Sequence, residues 1–187
     1  MELQVKSPSI YFVRHGQSVA NATGLVAGSS DSPLTEAGIA QAQAEAETIA
    51  QQSLQFDKII ASPLSRALNT ARIITQRIGF DKDAIITSDL LCERRLGSFE
   101  GRSRKELEAA PEAELEAAGC EKLTALYERV EEANRFITKQ AEGCTNVLVV
   151  GHGGFYRMAR CVAEGRKPEE TYTLEDPRNS TLLEYPL

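Results

Sequence analysis

The sequence predicts an α/β fold: a three-layer α/β/α sandwich with a mostly parallel central sheet. Short apolar runs rich in β-branched residues alternate along the chain with longer segments of helical periodicity. Strands of a parallel sheet have this apolar character because helices cover both of its faces. A repeated alternation of strand and helix is typical of this architecture, and its crossovers are right-handed almost without exception. The expected strands are residues 10–14, 58–61, 84–87, 146–150 and 181–185.

Three helical segments connect these strands. Thr35 is a candidate N-cap for a helix that ends near Gln52. Ser62 followed by Pro63 predicts the start of a second helix, which Gly79 ends. A third helix has apolar residues every three or four positions, in a pattern too short for a coiled coil. The expected core-facing residues are Leu64, Leu68, Ala71, Thr75 and Ile78 in the second helix and Leu123, Leu126, Val130, Ala133 and Ile137 in the third.

The segment 102–120 interrupts this alternation. It is rich in Glu and Ala, has few apolar residues, and contains Pro111 and Gly119. We expect a helical insertion over or beside the ligand cleft, acting as a solvated flank rather than a functional lid. The 187 residues have the size of one domain with a substantial core, so we expect a single domain over residues 1–187.

Composition and charge argue against several classes of protein. The chain is 42% hydrophobic and 26% charged, and no apolar stretch approaches the roughly 20 residues of a membrane helix. A formal charge of −6 argues against nonspecific binding to nucleic acid or to an anionic membrane. The first six residues lack the pattern of a secretory signal, so the expected location is the cytoplasm. Four scattered cysteines disfavour a zinc site and a disulfide framework, and nothing in the sequence indicates an oligomeric state.

Two histidines, His15 and His152, each follow an apolar run and are flanked by glycine. Open α/β sheets bind ligands beyond the carboxyl ends of their strands, so both imidazoles are expected in one cleft. The loop after His15 contains Ser18 and Asn21, small polar residues suited to holding an oxyanion. The glycine turn at residues 151–154 is expected to leave backbone N–H groups free to bind an anion at the start of a helix.

Two charged residues complete the candidate site. Arg66 lies in the first turn of a helix, where the helix dipole disfavours a cation by up to about 1 kcal/mol, so an anionic partner is expected. An exposed ion pair is the alternative explanation for Arg66. Partial burial and a neighbouring phosphate are expected to raise the pKa of Glu93 above about 4.3, which suits a proton donor. The alternative for Glu93 is a salt bridge to Arg94 or Arg95.

Together these motifs resemble the histidine phosphatase superfamily, the group that includes the phosphoglycerate mutases. The matching residues, in family order, are Arg14-His15-Gly16-Gln17-Ser18 with Asn21, Asp31-Ser32-Pro33-Leu34-Thr35 with Gly38, Ser62-Pro63-Leu64-Ser65-Arg66-Ala67 with Thr70-Ala71, Leu91 with Glu93 and Gly97, and His152-Gly153. The resemblance implies a phosphoglycerate mutase-like fold and a phosphohistidine intermediate. It also implies that no metal or other cofactor is required.

The resemblance assigns a role to each residue of the candidate site. His15 is expected to attack phosphorus, and Arg14 and Arg66 would keep it neutral by disfavouring its protonated form. Glu93 is expected to protonate the leaving alkoxide and then to activate water, while His152 stabilises charge in the transition state. The residues expected to bind the substrate phosphate are Arg14, Arg66, Asn21 and the Gly153 N–H.

The sequence favours hydrolysis over phosphoryl shuttling. Mutases resemble this chain but are usually longer and have Asn-Arg-Phe where it has Gly24-Leu25-Val26. Their Glu-Arg-His-Tyr-Gly is replaced here by residues 93–97, Glu-Arg-Arg-Leu-Gly. We therefore expect a metal-independent phosphomonoester hydrolase acting on a small phosphorylated metabolite. A phosphoglycerate mutase and a phosphohistidine protein phosphatase are the alternatives within the superfamily.

Two readings from other classes are weaker. A phosphate-recognition module without turnover would be expected to lack one of the catalytic residues, and none is missing. A two-histidine metal hydrolase would be expected to show H-x-x-x-H spacing and a nearby carboxylate cluster, which this sequence lacks.

A group of basic residues near Glu93 bears on the choice of substrate. Its members are Arg94, Arg95, Arg102, Arg104 and Lys105. They favour a substrate with a second anionic group, unless the Glu-rich stretch 106–121 or the solvent neutralises them. Both readings remain open from the sequence.

Overall fold

A computed structural model describes residues 7–187 and shows a five-stranded sheet with helices on both sides. The strands are β1 (Ser9–Arg14), β2 (Lys58–Ala61), β3 (Ile86–Thr87), β4 (Asn146–Gly151) and β5 (Leu182–Glu184). They are arranged in the order β3-β2-β4-β1-β5. All neighbouring strands are parallel except β5, which is antiparallel to β1. The predicted three-layer, mostly parallel architecture is confirmed. The expectation about the first six residues lies outside the described part of the chain.

Seven α-helices are present in the described residues. They are α1 (Val19–Thr23), α2 (Glu36–Gln51), α3 (Ser65–Ile78), α4 (Arg104–Ala109), α5 (Glu112–Ala117), α6 (Leu123–Ala141) and α7 (Gly153–Ala163). Thr35 caps α2, as predicted, because its side chain accepts a hydrogen bond from the Gly38 N–H. None of the helices within residues 7–187 is long and apolar enough to cross a membrane.

The start of α3 differs from the prediction. The helix begins at Ser65, and the residue at its N-cap position is Leu64 rather than Ser62. The Ser62 hydroxyl instead lies 2.8 Å from Nε2 of His152, so this side chain belongs to the site and not to the cap. The buried face is also rotated from the predicted one, because Leu64, Leu68 and Ile78 are only half-buried. The buried residues of α3 are Arg66, Ala67, Thr70, Ala71, Ile74 and Thr75.

Two hydrophobic cores lie on opposite faces of the sheet. Adjacent residues of a strand point to opposite faces, so Phe12 belongs to one core and Val13 to the other. One core packs against α6 and α7, and the other against α2 and α3. The predicted stripe of α6 is buried at Leu126, Val130, Ala133 and Ile137, whereas Leu123 is half-buried. Full burial of one large aliphatic or aromatic side chain stabilises the fold by about 1.5–3 kcal/mol.

Residues 102–120 contain the short helices α4 and α5. Their apolar side chains join a small separate cluster around Val26, Leu96, Phe99 and Cys120. Two backbone hydrogen bonds attach the start of this segment to the loop after α1: Val26 N–H to Arg102 O at 2.9 Å, and Gly101 N–H to Val26 O at 2.8 Å. The segment therefore stands next to the loop that follows His15.

Candidate active site

The two histidines lie together beyond the carboxyl ends of β1 and β4. These strands are parallel neighbours whose register pairs Arg14 with Gly151, so His15 and His152 leave the sheet side by side. Their ring centroids are 5.2 Å apart, and the ring planes are inclined by 60°. His15 lines an open cleft, and His152 is completely buried beside it. The shared cleft was predicted from the sequence, and the sheet order that makes β1 and β4 neighbours comes from the structure.

The His15 ring is held in one orientation by a hydrogen bond to its own loop. Nδ1 lies 2.7 Å from the carbonyl oxygen of Gly16. A carbonyl only accepts hydrogen bonds, so Nδ1 carries the proton and Nε2 has the free lone pair of a nucleophile. Burial lowers the pKa of His15 well below 6.5, and the neighbouring His152, Arg66 and Arg14 act in the same direction because each disfavours a second positive charge. The ring is therefore neutral near pH 7, as the proposed attack requires.

Arg66 is buried and not exposed, so the alternative of a surface ion pair is wrong. Its side chain is 2% exposed and lines the cleft. It donates from Nη1 to Ser30 O at 3.0 Å and from Nη2 to Gly28 O at 2.7 Å. Within residues 7–187 no carboxylate forms an ion pair with it at 4.0 Å or less. The guanidinium thus keeps its charge available to an anion in the cleft.

Arg14 is the last residue of β1 and lines the cleft together with His15. Its Nη1 donates to Pro177 O at 2.9 Å and lies 4.0 Å from the Asp176 carboxylate. Its Nε is buried and has no hydrogen-bond partner in the described residues. Burial lowers the pKa of Arg14, and the negative charges of Asp176 and Glu93 partly oppose this effect.

The Glu93 carboxylate occupies the N-terminus of α7. It accepts hydrogen bonds from the N–H groups of Gly154 at 2.9 Å, Phe155 at 3.1 Å and Arg94 at 2.9 Å. The alternative of a salt bridge from Glu93 to Arg94 or Arg95 is therefore wrong. The expectation that the glycine turn leaves these amides free also needs correction, because two of the helix's amides already bind Glu93.

The predicted rise in the pKa of Glu93 is wrong for the site without substrate. Burial alone would raise this pKa, and it is the largest single effect. The hydrogen bonds from the Arg94 and Gly154 N–H groups and the charges of Arg66 and Arg157 together outweigh it, so the pKa lies below 4.5. Hydrogen bonds to the ionised form favour ionisation, and only the structure shows that they are present.

His152 is oriented by Ser62. Its Nε2 lies 2.8 Å from the Ser62 hydroxyl, while its Nδ1 is buried without a partner in the described residues. Burial lowers the pKa of His152 well below 6.5, and Arg66 and Arg14 add to this shift. A neutral imidazole has one donor and one acceptor nitrogen, so the proton is on Nδ1 when the Ser62 hydroxyl donates to Nε2 and on Nε2 when that hydroxyl accepts.

Asn21 and Gly153 both line the cleft. The Asn21 side-chain oxygen accepts a hydrogen bond from the Ser18 N–H at 3.2 Å, which leaves the amide nitrogen as the donor end. A Cβ at Gly153 would lie 3.0 Å from Oδ1 of Asp176 and 3.2 Å from the Arg14 guanidinium carbon. A Cβ at Gly154 would lie 2.5 Å from the Glu93 carboxylate. These two glycines let charged groups approach the backbone closely.

Three further charged residues near these motifs have structural or surface roles. Glu100 accepts hydrogen bonds from the Ser29 N–H at 2.8 Å and the Leu96 N–H at 3.2 Å, so it braces the loop whose carbonyls hold Arg66. Arg72 and Arg77 are exposed on α3, and Arg77 pairs with Glu47 on the surface.

The basic residues near Glu93 separate into two groups. Arg94 and Arg104 line the cleft. Arg95 instead pairs with Glu121 at 3.6 Å, Arg102 lies 4.5 Å over the Phe99 ring, and Lys105 is exposed. The Glu-rich stretch neutralises part of this charge, since Glu108 lies 3.9 Å from Arg104.

Sequence reasoning missed the contributions of Ser62, Arg157, Tyr172 and Asp176. Ser62 was interpreted as a helix cap, and its contact with His152 depends on the packing of β2 against β4. Arg157, Tyr172 and Asp176 line the cleft. The sequence carries no signal for these three residues. Arg157 is one of several polar residues in a helical segment, and Tyr172 and Asp176 lie in a C-terminal segment without a recognisable motif.

Comparison with known proteins agrees with this geometry. The sequence profile of the histidine phosphatase superfamily (branch 1) matches residues 10–185. The adenosylcobalamin/alpha-ribazole phosphatase of Salmonella typhimurium is 35% identical over 158 residues, or 78% of this chain and 74% of that protein. The structure of the alpha-ribazole phosphatase from Shigella flexneri matches with a TM-score of 0.74 at 27% identity, over 92% of this chain and 87% of that one. The structure of the phosphoserine phosphatase of Entamoeba histolytica, solved with 3-phosphoglyceric acid, matches with a TM-score of 0.75 at 26% identity, over 94% of this chain and 88% of that one.

Proposed function

Because the chain belongs to the histidine phosphatase superfamily, we propose that it hydrolyses phosphomonoesters of small metabolites through a phosphohistidine formed on His15. One observation carries this proposal: a neutral, oriented His15 ring lies 5.2 Å from His152 in a cleft that Arg14 and the buried Arg66 also line. The similarity to the Salmonella phosphatase supports hydrolysis as the reaction.

In the first step, Nε2 of His15 attacks the phosphorus atom of the bound ester. The bond from phosphorus to the ester oxygen breaks, and its electron pair leaves with that oxygen. Arg14, Arg66, Asn21 and the Gly153 N–H hold the other phosphate oxygens in place. Phosphoryl transfer passes through a loose transition state with charge spread over these oxygens, so positioned cations and N–H donors stabilise it.

Glu93 supplies the proton that the leaving oxygen needs. The pKa of Glu93 is lowered in the free site, so the carboxyl must gain its proton when the substrate binds. A phosphate dianion beside a carboxylate favours the protonated carboxyl, because like charges disfavour ionisation. Substrate binding thus converts Glu93 from a hydrogen-bond acceptor at α7 into an acid.

In the second step, water hydrolyses the phosphohistidine. Glu93, now ionised, takes a proton from the water as its oxygen attacks phosphorus, and the bond from phosphorus to Nε2 breaks. His152, whose Nδ1 has no partner in the described residues, stabilises the transferring group in its Nδ1-protonated form by donating to a phosphate oxygen. Phosphate then leaves, and His15 returns to its neutral form.

The direct test is the release of phosphate from p-nitrophenyl phosphate in excess EDTA. His15→Ala is expected to lower kcat by about a thousandfold or more, because the nucleophile is lost. Arg66→Ala is expected to lower kcat/KM by at least about a hundredfold, whereas its matched control Arg72→Ala on the exposed face of α3 should retain wild-type activity. Wild-type turnover by His15→Ala would refute the nucleophile assignment, and loss of activity in EDTA would favour a metal hydrolase.

The intermediate needs its own experiment. Rapid acid quenching of the enzyme with radiolabelled phosphomonoester should trap a protein adduct that is stable in base and labile in acid, as expected for a phosphorus–nitrogen bond. The adduct should be absent from His15→Ala. A panel of phosphorylated metabolites, assayed with and without a bisphosphoglycerate primer, separates hydrolysis from mutase activity. The phosphate ester of alpha-ribazole, the compound in the name of the Salmonella relative, belongs in that panel.

A further inference from the structure

One carboxylate, Asp176, lies among three arginines that line the cleft. Its Oδ1 is 2.7 Å from Nη1 of Arg157, and its Oδ2 is 3.2 Å from Nη2 of Arg104 and 4.0 Å from Nη1 of Arg14. The arginines come from α7, α4 and the end of β1. Three elements thus direct positive charge at one point, and a loop near the C-terminus supplies the one carboxylate that lies within 4.0 Å of all three arginines.

This point lies next to the proposed phosphate site. Oδ1 of Asp176 is 3.0 Å from the position that a Cβ would take on Gly153. Arg14 is shared by the proposed phosphate site and the arginine cluster, because it lines the cleft beside His15 and also lies 4.0 Å from Asp176. A substrate whose phosphorus is at Nε2 of His15 would therefore extend its alcohol portion past Asp176.

The arginines retain donors that Asp176 does not use. The Nε atoms of Arg14 and Arg157 are buried with no hydrogen-bond partner in the described residues, as is the hydroxyl of Thr171, which also lines the cleft. Guanidinium groups bind carboxylates and phosphates through paired N–H donors. Without Asp176, this part of the cleft would be a strong site for a second anionic group of the substrate.

We infer that Asp176 fills this second anion subsite from within the chain and so restricts the enzyme to phosphomonoesters whose alcohol portion carries no further negative charge. A carboxylate or second phosphate on the substrate meets the Asp176 carboxylate, of like charge, at the point where the three arginines converge. Specificity obtained by such repulsion is a common device in binding sites. The inference rests on the proposed function and names the substrate class of the same site.

Arg94 is the competing candidate for a second anion site. It lines the cleft, and no carboxylate of residues 7–187 pairs with it at 4.0 Å or less. Its Nε donates to the backbone oxygen of Glu121 at 2.7 Å, and its Nη1 to the hydroxyl of Tyr172. Two neutral partners hold this side chain in place. If Arg94 bound a substrate carboxylate, the wild-type enzyme would prefer the carboxylate-bearing substrate, and Arg94→Gln would remove that preference.

The test uses two substrates that differ in one group. Glycerol 3-phosphate has a neutral alcohol portion, and 3-phosphoglycerate has a carboxylate at the far end. Wild-type kcat/KM is expected to be at least about tenfold higher for glycerol 3-phosphate. Asp176→Asn, which removes the charge and keeps the shape, should shift the ratio of the two kcat/KM values at least about tenfold toward 3-phosphoglycerate.

Glu108→Gln is the matched control. Glu108 also lines the cleft and lies 3.9 Å from Arg104, but it is half-exposed and contacts neither Arg14 nor Arg157. Its loss should change the substrate ratio by less than about threefold. A larger shift for Glu108→Gln than for Asp176→Asn would overturn the assignment of the subsite to Asp176.

The remaining outcomes separate the inference from the proposed function. Hydrolysis of p-nitrophenyl phosphate together with a wild-type preference for 3-phosphoglycerate, or an unchanged ratio in Asp176→Asn, overturns the inference alone. Failure to hydrolyse any phosphomonoester overturns the proposed function. If Asp176→Asn is inactive, titration calorimetry of both compounds with His15→Ala and with His15→Ala/Asp176→Asn measures the same ratio as binding.

Discussion

The Glu93 carboxylate accepts three backbone hydrogen bonds at the start of α7, and two of the three donors belong to that helix. Such an arrangement stabilises the ionised form at the N-terminus of a helix. It also places the carboxylate within the cleft beside Arg66 and Gly154. A carboxylate held in this way acts as an acid only when the charge of the substrate raises its pKa. The proton it then carries matters most for a leaving group that departs poorly without one.

Substitution of Glu93 should affect substrates unequally. Glu93→Gln keeps the shape of the side chain and removes the acid. We expect kcat for an alkyl phosphate such as glycerol 3-phosphate to fall by about a hundredfold or more, because an alkoxide leaves poorly without a proton. The fall for p-nitrophenyl phosphate should be at least about tenfold smaller in the first step, since its phenolate leaves readily. Burst kinetics would measure that step, and equal slowing of both substrates would contradict the acid role.

At the scale of elements, the loop that carries His15 packs against the first turn of α2 and against α3. The Gln17 carbonyl accepts hydrogen bonds from the Thr35 N–H at 2.9 Å and from its hydroxyl at 3.3 Å. The Gly16 N–H donates to the Thr70 hydroxyl at 3.0 Å. A Cβ at Gly38 would collide with the Gln17 carbonyl, so α2 approaches the loop this closely only with glycine at that position.

Gly38→Ala tests this contact. The added methyl group must push the loop and α2 apart, and overpacking of this kind costs about 1–3 kcal/mol of unfolding free energy. The displacement should also lower kcat for p-nitrophenyl phosphate, because His15 lies two residues before Gln17. Urea denaturation and steady-state kinetics would measure the two effects. Ala37→Ser, at an exposed position in the same turn, should change stability by no more than about 0.5 kcal/mol. Wild-type stability and activity in Gly38→Ala would show that the contact is not tight.

At the scale of the whole molecule, two buried histidines couple folding to pH. Burial lowers the pKa of both rings well below 6.5 in the folded protein. Below that pH the unfolded chain takes up protons that the folded protein does not. The unfolded state then binds more protons, so the free energy of unfolding falls as the pH falls, by up to about 1.4 kcal/mol per pH unit for each histidine. Above pH 6.5 both states are neutral at these residues, and this stabilisation is fully present.

The expected result is a steeper loss of stability in the wild type than in a variant without one of the rings. Urea denaturation at about pH 7 and about pH 5.5 would give the slope for the wild type and for His152→Asn. The variant's slope should be smaller by up to about 1.4 kcal/mol per pH unit, whatever its stability at neutral pH. The lowered pKa of Glu93 adds its own loss of stability only at more acidic pH, near and below 4.5. Identical slopes would mean that His152 is protonated in the folded protein.

Most strands and helices could be predicted because apolar periodicity and helix caps involve residues that are close together in the sequence. The strand at residues 58–61 was predicted with its observed bounds, and three others differ by one residue at one or both ends. Of the predicted strand 84–87, only Ile86–Thr87 is a strand, because Ala84 belongs to a short 3-10 helix. Thr35 marked the start of α2 through a hydrogen bond to a residue three positions away. The start of α3 was predicted wrongly because a serine hydroxyl can either cap a helix or contact a distant side chain. The Ser62 hydroxyl contacts His152, which is ninety positions further along the chain.

The sequence by itself determined the order of strands and helices and the kinds of residue that meet at the ends of β1 and β4. It could do so because apolar periodicity, glycine turns and motif order are properties of neighbouring positions. The tertiary structure alone decided that Arg66 is buried, that Glu93 is ionised on α7, and that Asp176 joins three arginines. Those properties depend on desolvation and on hydrogen bonds between residues far apart in the chain, which no local pattern records.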